Sequence, residues 1–315
     1  MHRYPDGGCV ALRRALGERF DLDPARIVCG AGPDELLGCW PAPTPGRATR
    51  PSTPSNGFLI YPIATRAAGA LPRAVPERDL CTDVDALLAA AGPTRIVFLA
   101  NPNNPTGTYL PAAEMRRLRE GLPEGVLLVI DAAYAEYVDA DDYGCGFDLV
   151  DAFGSVVVTR TFSKIYGLGG ARLGWAYCPE AVADVLNRLR MPFNVAAPAQ
   201  AAGVAALADA TFVATAQQHN RTWRAWSRDT IAALGLTVPA SHGNFLLVRF
   251  PAAPGRNAVA ADAYLKSRGY IARRVASYGL PDHLRVTIGL EAEMRGFVAA
   301  LADFVAGAGE AEQAR

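Results

Sequence analysis

Arg95-Ile-Val-Phe-Leu-Ala100, followed at once by Asn101-Pro-Asn-Asn104-Pro-Thr-Gly107, is the stretch that decides the fold class. Five apolar residues in a row behind one charge read as a strand buried on both faces, because a strand with one wet face alternates polar and apolar residues. The Asn/Pro/Gly run that ends it makes a rigid polar loop, and one of its two Asn-Pro steps is a candidate cis peptide. Outward from there, Ala112–Gly121 has helical spacing with Arg and Glu on its outer side. Val126–Ile130 (ending on Asp131), Ser155–Thr159 and Arg172–Tyr177 repeat the strand pattern. Apolar strands separated by helices predict an α/β fold, a mostly parallel sheet flanked by helices. Ligands of such sheets bind where the strands end at their carboxyl side, here the loops after Ala100, Ile130 and Thr159.

From Thr211 the pattern changes. A long helix through Trp223, Trp226 and Ile231 leads to a strand at Asn244–Arg249 and a helix around Ala258–Arg268. Strands at Tyr270–Val275 and Leu284–Ile288 follow, then a closing helix Glu291–Val305 and a frayed tail, Gly307–Arg315. Residues 1–212 therefore read as a large domain, and 213–315 as a connector helix with a smaller α+β domain. Pro41–Asn56 fits neither pattern. Five prolines (41, 43, 45, 51 and 54) among Ser, Thr and Arg make it a disordered loop by composition.

The chain has 315 residues, half of them hydrophobic, and its 31 basic side chains balance 31 acidic ones. That balance gives no argument for nucleic acid or an anionic membrane as partner. The apolar runs are strand-sized, and the start carries no apolar leader. Six cysteines without C-x-x-C spacing argue against a disulfide framework or a zinc site and for a reducing, cytoplasmic setting. Only two of the basic residues are lysines, Lys164 and Lys266, so chemistry that needs an amine has two candidates.

Lys164 sits in Thr161-Phe-Ser163-Lys164, ahead of Gly167-Leu-Gly-Gly170 and Arg172. An amine in a loop after a buried strand suits Schiff-base formation. The hydroxyls of Thr161 and Ser163 with the Arg172 guanidinium suit a phosphate. Lys266 lies on a surface helix pattern. Asp131-Ala-Ala-Tyr134 puts a carboxylate at a strand end, where it either caps a helix or pairs with a protonated ring nitrogen.

Asn101–Gly107, then Asp131–Tyr134, then Thr161–Arg172, taken in that order, resemble the class I/II aminotransferases, pyridoxal-phosphate enzymes of fold type I. Tyr4-Pro-Asp, Gly30–Glu35, Pro192–Val195 and Leu284–Gly289 are most similar to the histidinol-phosphate aminotransferases among them, and the resemblance runs almost end to end. It implies pyridoxal 5'-phosphate as cofactor, with Lys164 as its Schiff-base lysine and proton shuttle. It implies Asp131 on the pyridine nitrogen, Asn104 and Tyr134 on the ring hydroxyl, and Phe58 against the ring face. Thr161, Ser163, Arg172 and the helix start at Gly32, Pro33, Asp34 and Glu35 would cradle the phosphate. Tyr4 would reach the cofactor phosphate of a second subunit, which implies a homodimer. Arg285, with Arg273 or its neighbour Arg274, would hold the substrates, 2-oxoglutarate and histidinol phosphate, and Asn194 and Asn244 would lie near them. Aromatic-amino-acid aminotransferases and threonine-phosphate decarboxylases share nearly all these motifs. A chain that binds the cofactor without turnover is the rival from outside enzymes.

Three departures from the family pattern bear on competence. The sequence starts three residues before Tyr4, so the family's N-terminal arm is expected to be absent. Pro33 stands in the phosphate cup, where it removes one backbone N–H. In place of the family's Gly-Pro-Gly-Asp-Glu-like turn and following strand stands Pro41–Asn56. Back-translated one base earlier, Ala42–Arg50 can give Arg-Thr-Tyr-Ala-Gly-Pro-Gly-Asp-Glu, so the segment reads as a stretch of about sixteen residues encoded out of frame, the alternative being a tolerated surface insertion. A coil there is expected to remove a buried strand and open a sheet edge.

Overall fold

The computed structural model describes residues 2–39, 50–92 and 94–313. Seven strands form the large sheet: β1 (Ile27–Gly30), β2 (Ser52–Pro54), β3 (Arg73–Val75), β4 (Ile96–Ala100), β5 (Leu127–Asp131), β6 (Val156–Thr161) and β7 (Gly174–Tyr177). Their spatial order is β1-β7-β6-β5-β4-β2-β3. Only β7 runs antiparallel to its neighbours, so the mostly parallel sheet expected from the sequence is what forms.

The apolar runs have the predicted cause. Every residue of β4 is buried. Val97 and Leu99 pack with Leu128, Ile130, Val156 and Val158 into one core, while Ile96, Phe98, Val129 and Val157 face a second core across the sheet. Alternate residues of one strand thus serve two layers of helices, and no position is left for a polar side chain.

A second sheet, antiparallel, has the order β8-β10-β9, with β8 (Phe245–Arg249), β9 (Arg273–Arg274) and β10 (His283–Thr287). Its core gathers Leu246, Val248, Leu284 and Val286 against Phe297 and Leu301 of the last helix. The helix Ala210–Ala233 runs into this unit, capped at its start by Asp209, whose carboxylate accepts from the Phe212 amide. Among the described residues no single helix is long and apolar enough to cross a membrane; Ala197–Ala208 and Ala210–Ala233 meet both conditions only together, as a pair bent by 75°.

Three expectations need correction. Residues 41–49 of the proline-rich segment lie outside the described residues, but Arg50–Asn56 are not a disordered loop. Ser52–Pro54 form β2, buried throughout and paired in parallel with β3 on one side and β4 on the other, so the segment fills the sheet instead of opening its edge. The Ser52 hydroxyl is satisfied by that of Thr94 at 2.8 Å, which is how a polar residue is tolerated there. The strand expected over Tyr270–Val275 shrinks to Arg273–Arg274, since only these pair with β10. The expected tail is helical as far as Gln313.

Candidate active site

The carboxyl ends of β4, β5 and β6 open into a cavity of about 280 Å³ between the two sheets. β4 delivers Asn104 through its Asn/Pro loop, in which both Asn101-Pro102 and Asn104-Pro105 are cis. β5 delivers Asp131 as its last residue and Tyr134 three residues on, and β6 delivers Thr161, Ser163 and Lys164. Arg172, in the left-handed region at φ 52°, closes one side with Pro33 and Asp34. Arg273 and Arg285 enter from the small sheet, and Phe58 forms part of the wall.

Lys164 Nζ lies 5.4 Å from the centre of the Tyr134 ring. Burial, reinforced by the Arg285 charge, lowers its pKa, so the neutral nucleophilic amine is more accessible than in water. The other lysine, Lys266, is paired with Asp262 at 2.8 Å on a helix of the small unit. Asp131 is buried, and burial pushes its carboxyl up to about 6, opposed by hydrogen bonds from Tyr61 and Thr159. The Tyr61 hydroxyl donates to Oδ2 at 3.0 Å and the Thr159 hydroxyl faces Oδ1 at 3.3 Å. Burial likewise pushes the Tyr134 phenol up to about 12, which keeps it a hydrogen-bond donor.

At the other end of the cavity the Ser163 hydroxyl is buried without a partner. Its amide is held by Thr161 Oγ1 at 3.0 Å, and Arg172 is steadied by Asp34 at 3.3 Å and the Gly169 carbonyl at 3.1 Å. A Cβ on Gly32, whose φ is +85°, would come within 2.6 Å of the Arg172 guanidinium, so only glycine leaves the arginine its place. An orphaned hydroxyl, a guanidinium and a bare glycine around one space are the donor set of a phosphate cradle. Set beside a basic amine and a buried carboxyl, they fit pyridoxal phosphate. Among the described residues no group of three His, Cys, Asp or Glu side chains could hold a metal ion.

Tyr4, Asn194 and Asn244, expected here, lie off the cavity wall, and so do Gly32 and Glu35 of the expected phosphate turn. Asn194 spends its amide on Glu35 Oε2 at 2.7 Å and the Cys29 carbonyl at 3.2 Å. Through Glu35, which also accepts from the Ala31 amide at 2.6 Å, it braces the turn behind Pro33. Asn244 precedes β8, where its carbonyl accepts from Ile288. Tyr4 is 82% exposed and stacks on Phe193. Of the two arginines left open in the sequence, Arg273 lines the cavity. Sequence reasoning missed Tyr278, a buried wall residue whose carbonyl accepts from Asn56, and Tyr61 beneath Asp131. Tyr61 lies three residues after Phe58 in an otherwise apolar helix start, and that spacing is the one signal it left.

A doubly covered sheet with a lysine, an aspartate and a phosphate cradle at its strand ends defines a pyridoxal-phosphate enzyme of fold type I. The chain belongs to the family of aminotransferases of class I and II, whose family model matches residues 1–301. Among its relatives, the histidinol-phosphate aminotransferase of Paramagnetospirillum magneticum is 57% identical over 97% of this chain and 84% of its own. That of Rhodospirillum centenum is 56% identical over 98% and 85%. The crystal structure of histidinol-phosphate aminotransferase from Sinorhizobium meliloti, in complex with pyridoxal-5'-phosphate, superposes with a TM-score of 0.90 at 30% identity, covering 97% of this chain and 83% of that one.

Proposed function

We propose that the chain is a pyridoxal-phosphate-dependent histidinol-phosphate aminotransferase. It moves the amino group of L-histidinol phosphate to 2-oxoglutarate, giving imidazole acetol phosphate and glutamate, a step of histidine biosynthesis. The observation that carries the reading is the convergence of Lys164, Asp131 and the Thr161–Ser163–Arg172 cradle on one cavity, in a chain that keeps more than half of its residues in common with such enzymes.

When bound, the cofactor supplies an aldehyde carbon that takes up an amine and a ring that withdraws electrons. Lys164 Nζ, whose neutral form burial favours, would take the proton from the substrate Cα and return it on the other side of the transfer. The Asp131 carboxylate holds the ring nitrogen protonated. The Asn104 amide and the Tyr134 hydroxyl donate to the ring hydroxyl, and Phe58 covers a ring face. Thr161, Ser163 and Arg172 hold the phosphate end, with Gly32, Pro33 and Asp34 forming the turn beneath it. Arg285 and Arg273 bind the anionic end of each substrate, a carboxylate of 2-oxoglutarate or the phosphate of histidinol phosphate, so one pair of guanidiniums serves both half-reactions.

The active form is a homodimer in the cytoplasm. Its contact surface includes the exposed Tyr4–Phe193 stack, from which Tyr4 reaches the phosphate end of the partner's cavity. The large domain spans 1–212 and the smaller unit 213–315. Purified protein given the cofactor, histidinol phosphate and 2-oxoglutarate is expected to form glutamate, faster than with phenylalanine as donor. Faster glutamate formation from phenylalanine, or release of carbon dioxide from threonine phosphate, would overturn the substrate assignment.

A further inference from the structure

We infer that Tyr61 is the positioning residue that keeps Asp131 ionised and aimed into the cavity, and so sets the pH range over which the chain holds its cofactor. The inference rests on the reading of Asp131 as the partner of the ring nitrogen. Tyr61 does not line the cavity; it acts through Asp131.

The geometry leaves its hydroxyl one task. Tyr61 is 1% exposed, stacked on Phe98 of β4 with ring centres 5.0 Å apart and planes 4° apart, and set edge-on to Phe58 at 5.8 Å. Phe98 and Asp131 lie on adjacent paired strands, so the stack fixes the phenol against the end of β5. The hydroxyl donates to Asp131 Oδ2 at 3.0 Å, the shorter of the two bonds the carboxyl receives. Burial and the Asp131 charge push the phenol well above its ordinary value, so Tyr61 stays a donor at every working pH.

A buried carboxyl is ionised only where donors and positive charge offset its desolvation. Lys164 faces Asp131 with favourable charge and Asp34 with unfavourable charge, while Tyr134 and Tyr143 also lie within its field. Among the described residues, Tyr61 and Thr159 are the two whose side chains bond it directly. A protonated Asp131 cannot pair with a protonated ring nitrogen, so losing the Tyr61 hydroxyl moves the acid limit of cofactor binding to higher pH.

The test measures the dissociation constant of pyridoxal phosphate from pH 5 to 9 in the wild type, Y61F, D131N and the double variant. Phenylalanine keeps the stack on Phe98, and thermal unfolding checks that the fold is retained. In Y61F the acid limb of the affinity profile is expected to move up by about one pH unit, giving roughly tenfold weaker binding near pH 6 and little change at pH 9. Y61F is expected to add nothing on the D131N background. A uniform loss at all pH values, or an unshifted profile, overturns the inference and leaves Tyr61 a packing residue. If D131N itself keeps wild-type affinity and profile, the reading of Asp131 fails and the inference falls with it.

Discussion

Arg285, on β10 of the small sheet, donates from Nη1 to Oδ1 of Asn104, in the loop that ends β4 of the large sheet. The bond ties the two sheets together through two residues that both line the cavity. The guanidinium also lies 5.2 Å from the centre of the Phe245 ring, and its Nε is buried without a partner. Part of the fork is therefore occupied and part is available to an anion.

Replacing Arg285 by alanine removes that available donor and releases Asn104. R285A is expected to lower kcat/KM by about 10²-fold for 2-oxoglutarate, mostly through KM, while the affinity for the cofactor stays near the wild type. Steady-state kinetics with a cofactor titration check this. A variant that loses cofactor and substrate in equal measure would show that Arg285 maintains the fold of the cavity wall.

The two lysines make a clean pair. K164A is expected to lower turnover by at least about 10³-fold, because among the described residues no other amine lines the cavity. K266A removes the ion-pair partner of the buried Asp262 carboxylate and is expected to lower stability, but to keep full activity, because Lys266 does not line the cavity. Initial rates of the two variants under identical conditions decide the matter.

Glu77 gives a stability prediction with a definite sign. Both its carboxyl oxygens are buried with no side-chain partner, and burial, opposed by the backbone amide of Asn56, pushes its pKa up to about 7. Between pH ~4.3 and that value the native state holds a proton that the unfolded chain has released, so stability falls as pH rises through the window. The loss reaches about 3 kcal/mol above it. E77Q does not titrate. It is expected to be more stable than the wild type at pH 8 and nearly equal to it at pH 4.5, as read by urea midpoints. A difference of the same size at both values would contradict the assignment.

Ser52 tests β2. Its hydroxyl is fully buried, and Thr94 also has the Ala90 carbonyl at 3.2 Å as a partner. S52V therefore gains apolar burial without stranding the threonine, and thermal unfolding should show stabilisation of about 1 kcal/mol. A coil over these residues would give no change.

What the sequence revealed follows from which residues carry the signal alone. β4, β5 and β6 are buried on both faces, so their apolar runs mark them without any knowledge of neighbours, and the proposed catalytic residues sit at or just beyond their ends. β2 escaped because Ser52-Thr-Pro54 has no apolar pattern; its pairing is supplied by β3 and β4. β9 came out short because pairing with β10, and not local preference, sets its length. Asn194 is expected near the substrate only through the family resemblance of Pro192–Val195, which carries no information on its hydrogen-bond partner. Its amide is in fact taken up by Glu35. Tyr61 was missed because its partner lies 70 residues away.

The central claim is that this chain exchanges an amino group with histidinol phosphate through Lys164 and its cofactor. Its most direct test is the visible absorbance of the purified, cofactor-loaded protein before and after histidinol phosphate is added without an acceptor. The expected result is conversion of the bound cofactor from its pyridoxal to its pyridoxamine form, reversed by 2-oxoglutarate. A folded protein that holds the cofactor and shows no spectral change with histidinol phosphate would contradict the claim.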